Sequence, residues 1–174
     1  MGSIQAYSSG HGVGKMKLVQ PSMMDLLRLC YDARQDEIEQ YESLIGPWDY
    51  EEAAIAFHHR VGLKFGLMNN EGEVVCAGGW DPVIPGVYQS WMVGTDENWK
   101  RYWRSITKHS RIVMDALMKD GARRLQTGAL ASRTRACDWY VRGLKMQYEG
   151  TCKNFGFKGE DMVTFVRLQE TLDG

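Results

Sequence analysis

Five cations cluster between residues 100 and 111: Lys100, Arg101, Arg104, Lys108 and Arg111. On a helix most of them share one stripe, electropositive along about 15 Å at ~1.5 Å of rise per residue. Such a stripe can hold phosphates or an acidic protein surface, and it can equally be a solvated helix face. Trp99, Tyr102 and Trp103 interleave with it. Trp99 and Trp103 are four residues apart on the inner stripe, which assigns them to the core rather than to base stacking. If the stripe meets a partner, Arg101, Arg104, Lys108 and Arg111 are the residues expected to do so.

Other reactive side chains fit no known constellation. His58 and His59 are adjacent, so they point to different sides and cannot form the one-face pair of a helical zinc site. They read as surface or interface residues, and His109, between Lys108 and Arg111, reads as solvated. No serine sits in a G-x-S-x-G turn, and no P-loop or dinucleotide-type glycine loop is present. Gly78-Gly79 at a strand end marks a bulge or a close backbone approach. Cys30, Cys76, Cys137 and Cys152 are too far apart in sequence for a zinc ribbon or a C-x-x-C site. With no secretory signal ahead of them, free thiols in a reducing compartment are expected. No metal site is expected.

The elements that carry these residues follow from apolar spacing and punctuation. Residues 1–16, rich in Ser and Gly, read as a flexible arm, and residues 17–174 as one domain. Within the domain Lys17 to Val19 is a strand candidate, and Ser22 can cap a helix over Met23 to Arg34. Further helices are expected over Glu37 to Ile45 and Tyr50 to His58. Leu63 to Met68 and Glu73 to Gly79 form a hairpin about an Asn-Gly-containing turn. A loop with Pro82, Pro85 and Gly86 precedes a strand over Val87 to Val93. Thr95 caps the long basic helix, which runs to about Lys119 with an inner stripe of Trp99, Trp103, Ile106, Ser110, Val113 and Leu117. A strand over Arg124 to Leu130, a helix over Arg133 to Arg142 and a final strand over Met162 to Leu168 complete the chain. The last strand is expected to pair with Lys145 to Tyr148 or with Thr151 to Asn154.

The 174 residues carry 21 Lys and Arg against 22 Asp and Glu, a formal charge of -1, with 44% hydrophobic residues. That composition excludes a disordered or fibrous protein and supplies a real core. No apolar run reaches the ~20 residues of a membrane helix, so a spanning protein is not expected. Met1-Gly2 begins the chain, but Ala6 breaks the myristoylation pattern. The near-neutral total is a cancellation. Residues 1–60 hold 5 basic and 9 acidic side chains, whereas residues 96–145 hold 12 basic and 5 acidic.

The order strand, helices, three strands, helix, strand, helix, strand resembles the GNAT superfamily of N-acetyltransferases, from about Lys17 to Leu168. That resemblance implies an α/β (α+β) fold: a mixed, mostly antiparallel sheet flanked by helices. It implies that the strand over Val87 to Val93 splays from its neighbour, with acetyl-CoA held by Met92, Val93, Gly94, Thr95, Lys100 and Arg101. It also implies a tyrosine that protonates the departing thiolate, a role open to Tyr140, one residue beyond the motif position, if the local register shifts. The chain departs from the family pattern at two places. The phosphate loop Q/R-x-x-G-x-G/A is replaced by Gly94-Thr95-Asp96-Glu97-Asn98-Trp99-Lys100-Arg101, whose two carboxylates oppose a diphosphate. In the helix motif N-x-x-A-x-x-x-Y-x-x-x-G, counted back from Gly143, Ser132 replaces the Asn and Trp139 the Tyr.

A narrower pattern covers roughly residues 36–168: Val75 to Gly79, then Ser90-Trp91-Met92-Val93-Gly94-Thr95-Asp96, the long basic helix, and Trp139 to Leu144 closing a short one. It resembles the GNAT-like internal virion protein A family of short-tailed bacteriophages. The resemblance implies a protein of virion assembly or of the infected host cytoplasm that acts chiefly by binding, with a degenerate acetyl-CoA site. Its partners would be other virion proteins, packaged nucleic acid or further copies of the chain in a homo-oligomer. An active acyl-CoA-dependent N-acetyltransferase and a phage inhibitor of a host enzyme are the alternatives.

Overall fold

The structure, a computed structural model, describes residues 16–169. The arm expected over residues 1–16 therefore lies, except for Met16, outside the described residues. The chain opens with β1 (Lys17–Val19), α1 (Met23–Tyr31), α2 (Gln35–Leu44) and α3 (Tyr50–His58). Ser22 and Asp25 cap α1 reciprocally, and Asp49 accepts the Glu51 and Glu52 amides at the start of α3. Helix α1 stops three residues short of the expected Arg34. Arg34 is extended, donates its N–H to Gly94 O at 3.2 Å and leads directly into α2.

Next come β2 (Leu63–Met68), β3 (Val74–Ile84) and β4 (Val87–Gly94). In the β2–β3 turn Asn69 Oδ1 accepts the Glu73 N–H at 2.9 Å, and Gly72 takes a φ of 83°. Strand β3 runs through the segment expected to be a loop, because Trp80 remains in the core at 4% exposure. Pro82 is accommodated by a register shift between Pro82 and Ile84, leaving Pro85-Gly86 as the turn. At Gly79 close approach is the operative reason for glycine: a Cβ there would lie 2.5 Å from both Leu63 O and Trp91 Nε1.

The second half contains α4 (Asp96–Lys119), β5 (Arg124–Leu130), α5 (Thr134–Asp138), a π-helical turn (Trp139–Gly143), β6 (Gln147–Cys152) and β7 (Met162–Leu168). The helix expected over residues 133–142 is thus a short α segment followed by a wide turn closed by Leu144 N to Trp139 O at 2.9 Å. Strand β6 overlaps both segments that were expected to pair with β7.

The seven strands form one sheet in the order β1-β2-β3-β4-β5-β7-β6, antiparallel throughout except for β4 and β5. Leu26, Leu29 and Cys30 of α1 and Ala53, Ala54 and Phe57 of α3 pack with Trp91 and Val93 of β4. Val113 and Met114 of α4 pack with Phe65, Leu125 and Phe165. Met92, between Trp91 and Val93, contacts this second cluster, as alternation along a strand requires. All four cysteines are free, and burial, reinforced by Glu37, pushes the Cys30 and Cys76 thiols up to about 12.

The expected inner stripe of α4 holds at Ile106, Ser110 and Val113, which are buried. Trp103 departs from it and is 48% exposed. The room beneath that turn is taken by Trp139, which sits edge-on to Trp99 at 5.0 Å and donates Nε1–H to Thr107 Oγ1 at 2.8 Å.

Candidate functional site

Strands β4 and β5 pair only at Val87↔Arg124, Tyr88↔Leu125 and Gln89↔Gln126. One residue further, Ser90 Oγ donates to Thr127 Oγ1 at 2.6 Å, and the strands then part. Their outer edges remain paired, β4 with β3 through Gly94 and β5 with β7 through Leu130. The result is a slot of about 160 Å³ between Ser90 to Met92 and Thr127 to Gly128. On the α2 side it shares its walls with a cavity of about 410 Å³ lined by Tyr41, Trp48, Phe57, Trp91 and Phe155. On the other side Trp139 and Arg135 also line a groove of about 720 Å³ between α4 and α5.

Helix α2 crosses the open end of the slot and ties both strands. Glu37 accepts the Gly94 N–H at 3.1 Å. Gln40 Oε1 accepts from Leu130 N at 3.1 Å and from Arg133 Nη1 at 2.7 Å, while its amide donates to Gly128 O at 3.4 Å. Arg133 also donates to Asp36 at 2.9 Å, and Arg34 lies between Asp36, Glu37 and Asp96 at 3.3, 3.8 and 3.4 Å. Burial raises the Glu37 carboxyl to about 7 against the pull of Arg34, the Gly94 N–H and Arg133. Sequence reasoning missed this cluster, since Glu37 and Gln40 meet residues some 57 to 93 positions away.

Tyr140 lines the same slot as Glu37. Its ring packs against Trp139 and Phe165 at 5.4 and 5.3 Å. Burial raises the phenol above its ordinary range, opposed by Arg133 and by a hydrogen bond with Thr127, so the hydroxyl keeps its proton at neutral pH. Tyr140 lies four residues after Ala136, on the π turn, and its ring is thereby turned into the slot beside Trp139.

The junction of β4 with α4 is a single residue, Thr95. Its hydroxyl accepts the Asn98 N–H at 3.2 Å, capping one amide at the start of α4, and its carbonyl accepts the Trp99 N–H at 3.0 Å, the first bond of the helix ladder. Gly94 has both backbone groups engaged, its N–H by Glu37 and its C=O by Arg34. Trp99 lies against Gly94 so closely that a Cβ there would be 2.9 Å from Trp99 Nε1. The Arg34 guanidinium sits 5.1 Å over the Trp99 ring. Of the residues expected at acetyl-CoA, Met92 lines the slot and Val93 the cavity beside it. Lys100 and Arg101 line neither, and Arg101 faces Glu71 at 3.8 Å.

Of the cations expected at a partner, Arg104, Lys108 and Arg111 line the groove between α4 and α5, joined by Arg135 and Arg142. Arg111 Nε donates to Gly143 O at 2.5 Å and braces the end of the π turn. His109 Nδ1 lies 2.8 Å from Ser105 O on its own helix, and His58 and His59 stack edge to face at 5.4 Å. Among the described residues there is no group of three or more His, Cys, Asp or Glu placed to hold a metal, and no helix is long and apolar enough to cross a membrane.

No family model and no curated protein sequence matches the chain. Solved structures do. A spermidine N-acetyltransferase from Vibrio cholerae in complex with CoA and spermine has a TM-score of 0.70 at 11% identity, covering 88% of this chain and 95% of that one. A GNAT-family acetyltransferase from Bacillus anthracis has a TM-score of 0.69 at 12% identity, covering 90% and 96%. The ribosomal-protein-S18-alanine N-acetyltransferase from Escherichia coli has a TM-score of 0.65 at 17% identity, covering 90% and 96%. At these identities the likeness establishes the GNAT fold alone.

Proposed function

We propose that this GNAT-fold chain works chiefly by binding, in the manner of the internal virion proteins its sequence resembles, and that its acetyl-CoA site is degenerate. The observation that carries this reading is the engagement of Gly94: its N–H, at the turn where the fold places the diphosphate of an acyl-CoA, is held by the Glu37 carboxylate. Trp99 fills the space above it, and Asp96 and Glu97 begin α4. A diphosphate there would meet three carboxyl groups and the ring of Trp99, so the residues present do not fit the group.

The partner would be an acidic surface, either another virion protein or packaged nucleic acid, met by the basic face of α4. The sequence resemblance supports the virion setting, and the segregation of charge between residues 1–60 and 96–145 supports the binding mode. The alternative of an acyl-CoA-dependent N-acetyltransferase draws on one observation: a near-neutral carboxyl, Glu37, and a protonated phenol, Tyr140, line one slot, as a base and an acid would.

Thermal melting with increasing acetyl-CoA separates the two readings, because a ligand of the native state raises the melting temperature. The binding reading expects no shift even in large excess of acetyl-CoA. A saturable rise of several degrees would overturn it.

A further inference from the structure

We infer that the groove between α4 and α5 seats a single strand of nucleic acid, with Trp103 as the platform on which a base stacks. The inference rests on the binding reading above and names the partner of its basic face. The groove, about 720 Å³, has Arg104 and Lys108 on one wall and Arg135 and Arg142 on the other. Among the described residues that line it, Asp138 is the one carboxylate, and it faces Arg142 at 3.9 Å with both side chains largely in water. An exposed pair of that length does little to neutralise the groove. Arg111, bound to Gly143 O, shapes the floor.

Trp103 is what separates a nucleotide from a merely acidic partner. It is 48% exposed in the middle of these cations, with the Arg104 guanidinium over one face of its ring, 4.9 Å from the centroid. Because Arg104 already covers one face of the indole, a base stacks on the opposite face or takes the place of the guanidinium, which then turns its forked donors to the adjoining phosphate. Arg104 and Lys108 are four residues apart, ~6 Å along the helix, close to one nucleotide step of an extended strand. A carboxylate-rich protein surface would satisfy the charges but bring no ring to Trp103. A duplex keeps its bases stacked inside and cannot offer one to a concave groove.

The test is fluorescence anisotropy of a labelled oligothymidylate of about 15 nucleotides, near the upper site size of single-strand binders, with the full chain across a salt series. The expected result is saturable binding, with log K falling against log salt with a slope of about -2 to -3 for three to four phosphates. Trp103→Ala should weaken binding roughly tenfold or more, and Trp103→Phe should recover most of it, since an aromatic ring at this position supplies the stacking surface. Arg104→Glu combined with Arg135→Glu should abolish it. The half-exposed position of Trp103 lets its variants fold, which their melting curves verify. Absence of binding, binding indifferent to Trp103→Ala, or equal affinity for a duplex or for polyglutamate would overturn the inference. Polyglutamate binding lost on charge reversal, with no oligonucleotide binding, removes the nucleic acid and leaves the binding reading standing. Saturable acetyl-CoA binding removes that reading itself.

Discussion

Glu37 holds the N–H of Gly94 at 3.1 Å, joining α2 to the last residue of β4 where that strand has left β5. With Gln40 on Gly128 and Leu130, one helix bridges both sides of the parted sheet. The cleft that the fold leaves open is therefore held at a set width by two side chains one turn apart.

The first consequence is a pH dependence. The Glu37 carboxyl rises from an ordinary 4.5 to about 7 in the folded protein. The native state therefore binds this proton more tightly than the unfolded chain, and stability falls as pH rises. The contribution is complete below about 4.5 and lost by the time pH passes about 7. Its full size is on the order of 3 kcal/mol, most of it falling between pH 5 and pH 8. Denaturant unfolding at pH 5 and pH 8 should show this loss, and Glu37→Gln should remove most of it. A variant with the same pH profile as the parent would refute the assignment.

Gln40→Ala should leave the Leu130 N–H and the Arg133 guanidinium each short of a partner at the mouth of the slot. The expected cost is about 1–3 kcal/mol. It should appear as a lower urea midpoint with an unchanged m-value, because the fold itself persists.

Two glycines next to tryptophans should respond differently to alanine. At Gly79 the new Cβ meets a backbone carbonyl, Leu63 O, as well as Trp91, at 2.5 Å. At Gly94 it meets the Trp99 side chain at 2.9 Å, and Cys76 Cβ only at 3.5 Å. Gly79→Ala should cost roughly 2–3 kcal/mol, as overpacking against backbone does, and Gly94→Ala about 1 kcal/mol. Melting temperatures in that order support the packing described; the reverse order contradicts it.

Trp139 and Trp103 should also diverge. Trp139 packs on Trp99 and Tyr140 and satisfies Thr107 Oγ1, so Trp139→Ala should cost about 3–5 kcal/mol. Trp103→Ala, at an exposed site, should change stability by less than about 1 kcal/mol. Paired chemical denaturation curves measure both.

Sequence reasoning worked where local signals act alone. The spans Tyr50–His58, Leu63–Met68, Arg124–Leu130 and Met162–Leu168 carry their own caps, turns or alternation, and they form where expected. Its errors came where a distant residue decides. Pro82 suggested a loop, but Trp80, buried under α4, carries the strand through it. Helical spacing put Trp103 in the core, but Trp139, from another element, already fills that place. The polar staple of Arg34, Glu37, Gln40 and Arg133 has no linear signature, because its partners are joined only by the crossing of α2 over β4 and β5. The motif counted from Gly143 pointed to Trp139, and the π turn places both Trp139 and Tyr140 on the slot.

Isothermal titration of CoA into the purified protein at neutral pH tests the central claim most directly, because it asks whether the turn occupied by Glu37, Gly94 and Trp99 accepts a diphosphate. The account predicts no saturable heat with CoA in large excess. A one-site isotherm with micromolar affinity would contradict it.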